Sequence, residues 1–186
     1  MGYGLMVTLV PLADLDRVRG SGDETLVVHA RAEGCEDAVR RAIGRIVDGS
    51  IPRPGEEPRS TFAAFGYAAQ RLCDAIGEPL DNAAFMPTSL DALRAFDAVL
   101  AERGVGLRVE DLALGGPLLG LPDPDDYPMS GAIGEITLAR AVLRDEDAPP
   151  APHDAAWRTV SGWLARARQA REDWPDGRWA LVGFWY

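Results

Sequence analysis

A chain of 186 residues, 47% hydrophobic and 26% charged, has an ordinary globular composition and enough length to bury a core of its own. Its net charge of −10 opposes nucleic acid and anionic membrane surfaces as partners, since both demand a positive footprint. All 19 basic residues are arginine, which excludes a Schiff-base lysine, a phosphate-loop lysine and a Ser-Lys dyad together, and which agrees with the coding bias of a GC-rich genome.

Residues 2–10 read as a strand, apolar on both sides and stopped by Pro11. The run at 5–10 is too short for a signal peptide, and no stretch reaches the ~18 apolar residues of a membrane span, so a cytoplasmic protein is expected. Leu12, Leu15 and Val18 then recur at a helical interval. Asp23 is the expected N-cap of a second helix, with Leu26, Val27 and Ala30 inward and Gly34 as its end. A third helix over 36–47 turns Val39, Ile43, Ile46 and Val47 inward. The Pro/Gly-rich stretch 48–59 reads as a loop.

The strongest helix follows, with Ser60 as its expected cap. Phe62, Phe65, Ala69, Leu72, Cys73 and Ile76 form one apolar face, and Gly77 supplies the stop. Gly66 inside it predicts close approach of another part of the chain. A helix beyond Pro87, capped by Thr88 or Ser89, carries Leu90, Leu93, Phe96, Val99 and Leu100. Residues 109–114 allow one more helical turn, and 115–128 are irregular. A short strand is expected at 132–136, then a helix with Ala139, Val142 and Leu143 inward. Asp154 is expected to cap a final helix whose inner stripe is Trp157, Val160, Leu164 and Ala167 and whose outer face carries Arg158, Arg166, Arg168 and Arg171. After a turn at 174–177, the strand 178–186 places Trp179, Leu181 and Trp185 on one side and Ala180, Val182, Phe184 and Tyr186 on the other. Apolar on both sides, it must be covered on both. The expectation is an α+β fold, a single domain over residues 1–186, with a small sheet formed by the N- and C-terminal strands and packed by about six to seven helices.

Catalytic patterns are lacking. His29 and His153 have no second ligand or nucleophile in register, no GxSxG elbow exists, and Cys35 and Cys73 have neither disulfide nor zinc spacing. Cys73, on the apolar face of its helix, reads as a core residue. The Gly2/Gly4 and Gly104/Gly106 pairs do not continue into a dinucleotide fingerprint. The acids Asp123, Asp125 and Asp126 sit among prolines that oppose calcium-loop geometry, so they read as a solvated loop. No catalytic residue, metal site or cofactor is assigned. Tyr67 lies one step off the apolar stripe of its helix, with its ring toward the core edge and its hydroxyl available to a cleft. If a pocket forms, Tyr67, Asn82, Asp125 and Tyr127 are the residues expected to converge; Asp123 and Asp126 complete the ligand or partner candidates.

The opening residues 1–6, the helix with Gly66, Tyr67, Ala68, Leu72, Cys73 and Gly77 followed by Leu80, Asp81 and Asn82, the Ile133-Gly134 step and the aromatic end strand together resemble small uncharacterised bacterial proteins of the domain-of-unknown-function type, distantly similar to the YfbM-like family. The resemblance implies an α+β protein with no established activity and no accepted catalytic residues.

Residues 105–153 hold nine acids against three bases. The expected function is therefore a non-enzymatic, immunity- or antitoxin-like interaction with a basic protein partner through that region. The alternative is a small-molecule-binding protein or weak hydrolase with an Asp/Tyr/Arg cleft.

Overall fold

The computed structural model describes residues 3–31, 34–53, 55–122 and 128–186. Four antiparallel strands form one sheet in the order β2-β1-β4-β3, where β1 is Leu5–Pro11, β2 Glu78–Pro79, β3 Met129–Ile133 and β4 Trp179–Trp185. The two terminal strands are the central pair, in register from Leu5 opposite Trp185 to Pro11 opposite Trp179. The fold is α+β, as the sequence predicts, with eight α-helices among the described residues.

The period-two reading of both terminal strands explains why helices lie on both faces. Leu5, Val7, Leu9, Leu181 and Trp185 enter one buried cluster; Val10, Ala180, Val182 and Phe184 enter another. Helices α1 (Leu12–Val18), α2 (Glu24–Ala30), α3 (Asp37–Val47) and α4 (Phe62–Ile76) supply the second cluster. The first is closed by α5 (Leu90–Glu102), α6 (Glu110–Leu114), α7 (Glu135–Arg140) and α8 (Asp154–Asp173). The chain thus covers one face before β2 and most of the other after it, with Leu118 and Leu121 returning to the first. No helix among the described residues is long and apolar enough to cross a membrane.

Several local signals act as the sequence suggests. Asp23 caps α2 by accepting from Thr25 N and Leu26 N at 2.9 and 3.1 Å, and Ser89 caps α5 through Ala92 N. A Cβ on Gly66 would lie 2.8 Å from Pro128 Cγ, so this glycine does mark a close approach. Gly77 ends α4 where a side chain would meet Leu9 O at 2.5 Å.

Other boundaries differ. Ser60 does not cap α4: residues 59–61 form a 3-10 turn, and Thr61 stands at the N-cap with its hydroxyl turned back to Pro58 O at 2.7 Å. His153, not Asp154, occupies the N-cap of α8, because Asp154 already lies in the first turn and pairs with Arg158 at 2.7 Å. The α2 helix stops at Ala30, before Gly34. The third strand sits three residues earlier than expected, since Glu135 opens α7 where an acid suits the helix dipole. That shift changes which residues face in: Leu138, Ala141 and Leu143 are buried, while Ala139 and Val142 are exposed.

Candidate functional site

Surface clefts of similar size occur in three places, and their chemistry separates them. One, about 730 Å³, runs between β2 and α8; its charges are closed internally, with Arg166 forked onto Glu78 at 2.7–2.9 Å and Arg158 held by Asp154. A second, about 660 Å³, separates α5 from α6. There Asp97 accepts from Val109 N and Glu110 N at 2.6 and 2.9 Å, serving as a remote cap for α6. Glu110 is taken up by Arg94 at 2.6 Å and by Arg108, and these arginines hold its carboxyl below the ordinary range. Both clefts are ion-paired architecture.

The third cleft, about 640 Å³, differs. It lies between α4, the start of α3 with the preceding residues 34–36, and the residue following β4. Tyr67, Gln70, Arg71 and Asp74 fall at i, i+3, i+4 and i+7 of α4, so they form one polar and aromatic stripe beside the helix's buried face. Tyr186 comes from beyond β4: its ring stacks on Tyr67 with centroids 5.7 Å apart and planes at 24°, and its hydroxyl donates to Gln70 Oε1. Burial pushes the Tyr186 hydroxyl far above the ordinary tyrosine value, reinforced by Asp74 and Tyr67, so it stays protonated as a donor. Asp74 Oδ1 accepts from the buried Thr8 hydroxyl of β1 at 2.7 Å. Desolvation nevertheless raises the Asp74 carboxyl above the ordinary value, against the lowering influence of Thr8 and Arg71. Asp97 in the second cleft is raised by desolvation in the same way, so what sets this cleft apart is the arrangement of its side chains.

The residues singled out in the sequence separate. Tyr67 lines this cleft and is 38% exposed. Asn82 does not line it: its Oδ1 accepts from Val7 N at 3.1 Å and its Nδ2 donates to Leu80 O at 2.8 Å. In that position it completes the ladder of β1 where the two-residue β2 ends. Asp123, Asp125, Asp126 and Tyr127 lie outside the described residues.

Sequence reasoning misses four of the five converging cleft residues. The polar i, i+3, i+4, i+7 stripe with Tyr67 is the signal that could find Gln70, Arg71 and Asp74, whereas Tyr186 carries no such signal, since it meets Gln70 across 116 positions. Cys35 also borders the cleft, buried, with its thiol toward Glu36 O. Cys73 is wholly buried in the core, where desolvation holds its thiol protonated. His29 is exposed on α2, and His153 meets Phe96 of the other cluster in a tilted ring contact, centroids 6.1 Å apart. Among the described residues, no three His, Cys, Asp or Glu side chains converge as a metal ion would need.

Fold and site together define an α+β protein with a half-open polar and aromatic cleft at one edge of its α3–α4 layer. The chain belongs to the family described as a domain of unknown function, DUF7691, whose model matches residues 1–186. No curated protein and no solved structure matches it.

Proposed function

We propose that the protein binds a small molecule in the α4–Tyr186 cleft. The observation that carries this reading is the convergence of Tyr67, Gln70, Arg71, Asp74 and Tyr186 around one opening, where among the described residues Arg71 makes no hydrogen bond or ion pair and Asp74 is bonded through Oδ1 alone. The other clefts close their charges internally, as folded scaffolds do. The likeness to the YfbM-like family adds no residue to this reading. The test is a ligand screen on tyrosine-labelled protein followed by NMR. Hits should move the ring signals of Tyr67 and Tyr186, and Tyr67→Ala should weaken them by about tenfold, the scale of one good aromatic contact. A screen whose hits all leave those two rings unmoved sinks the reading.

A second reading is the immunity- or antitoxin-like protein that takes a basic partner through residues 105–153. It is favoured by the exposed turn Asp145–Asp147. Against it stands the withdrawal of Glu110 into a pair of arginines, which thins the acidic surface. An oligo-arginine peptide added to backbone-labelled protein decides the point: salt-sensitive shifts centred on 105–153 favour it, and their absence removes it.

A further inference from the structure

Arg71 is unusual among the half-buried arginines. Arg31, Arg45 and Arg166 each reach an acceptor, respectively Arg40 O, Glu57 and Glu78. Arg71 has no hydrogen bond or ion pair among the described residues, although Asp74 is one helical turn away. A guanidinium presents a planar fork of donors that matches a carboxylate, and an unused fork facing a cleft is a donor site open to an acceptor.

Its neighbours restrict what can dock there. Gln70 has spent its carbonyl oxygen on the Tyr186 hydroxyl, so its amide nitrogen is the group left to donate beside Arg71. Tyr67 has one ring face against Tyr186, and its residual exposure makes the other a platform for a flat group. Asp74 and Glu36 also border the cleft, so a second negative charge on the ligand would meet two acids with one arginine to offset them. A phosphate dianion is disfavoured on that count, and a cationic ligand, though drawn by Asp74 and Glu36, would be repelled by the Arg71 guanidinium.

Resting on the cleft reading above, we propose that the ligand is a small monocarboxylate with a planar apolar body, its carboxylate forked on Arg71 and assisted by the Gln70 amide, its body laid on the open face of Tyr67. The experiment uses the full chain and three matched probes, 3-phenylpropanoate, its primary amide and the corresponding amine, titrated against tyrosine-labelled protein. The acid should move the Tyr67 and Tyr186 rings and bind about tenfold or more tightly than the other two, as a charge-assisted pair requires. Arg71→Gln should abolish that preference by bringing the acid down to the amide's weak affinity, and Arg71→Lys, which keeps the charge without the fork, should retain only part of it. The Lys variant also keeps the test decisive should the Gln variant fold poorly. Equal binding of the amide or the amine, or an acid preference that survives both variants, overturns the carboxylate assignment and leaves the cleft reading standing. Failure of all three probes to move either ring also overturns the carboxylate assignment, whereas the cleft reading falls only if every hit of the wider screen leaves both rings unmoved.

Discussion

Thr8 donates to Asp74 Oδ1 at 2.7 Å, and Arg71 lies nearby, yet burial still raises the Asp74 carboxyl above its ordinary value of 3.8. The sign for stability follows from linkage. A folded-state value above the unfolded one means that the native protein favours protonated Asp74, so this contribution is fully present below the ordinary carboxylate value and is lost as pH rises through the folded value. At neutral pH the ionised form is a burden that the fold carries. Asp74→Asn keeps an oxygen for Thr8 and removes the charge. It should stabilise the protein near pH 7 by up to about 1 kcal/mol, with solvent screening allowed for, and the gain should fade in acid. Denaturant melts at neutral and acid pH check this, and a gain that persists unchanged in acid would show that charge is not its source. Glu110 acts oppositely: Arg94 and Arg108 lower its carboxyl, so its contribution is present at neutral pH and lost as pH falls through the folded value. Of the cleft residues only Tyr67 is legible in the sequence, because the setting of Asp74 depends on Thr8, a contact across 66 positions.

At the scale of elements, α6 illustrates how a helix too short to be stable alone is fixed by tertiary contact. It lies directly on the sheet, above the cross-strand pair Gly131 and Gly183. A Cβ at Gly183 would stand 2.5 Å from Leu112 O and 2.6 Å from Leu112 Cβ, and one at Gly131 would collide with Asp111 O. The two glycines form a notch that lets helix backbone approach strand backbone. Gly183→Ala should therefore destabilise the protein by about 1–3 kcal/mol through overpacking, measured by urea denaturation, although alanine ordinarily favours a strand over glycine. A neutral or stabilising result would mean that α6 can lift away without loss. The sequence made Gly66 legible because a glycine interrupts a strong helical period there. Gly183 is not legible in the same way, since nothing local in an apolar strand distinguishes a packing notch from an ordinary position.

At the scale of the whole molecule, β1 and β4 contribute side chains to both buried clusters, so neither helix layer has a core without them. We propose that residues 1–186 melt as one cooperative unit for that reason. Deleting residues 178–186 removes Leu181, Val182, Phe184 and Trp185, each 1% exposed or less. At roughly 1.5–3 kcal/mol for each large apolar side chain, the loss rivals the whole ~5–15 kcal/mol that stabilises a typical domain. The truncated chain should show no cooperative thermal transition by circular dichroism. A sharp melt with native helix content would place the aromatic strand outside the structural core.

What the sequence determined by itself is whatever one period can carry. The two-sided apolar terminal strands, the inward faces of α3, α4, α5 and α8, the Asp23 and Ser89 caps and the glycine at 66 follow from side-chain chemistry over a few neighbouring residues. Tertiary structure decided the rest. Residues 110–114 become a helix against the glycine notch, β3 takes its register from β4 rather than from its own weak pattern, and Asn82 is drawn into completing the sheet edge. The cleft belongs to the same class: its stripe on α4 is a local pattern, but its stacked Tyr186, its half-buried Asp74 and its unspent Arg71 exist because folding brings distant backbone together and limits water there.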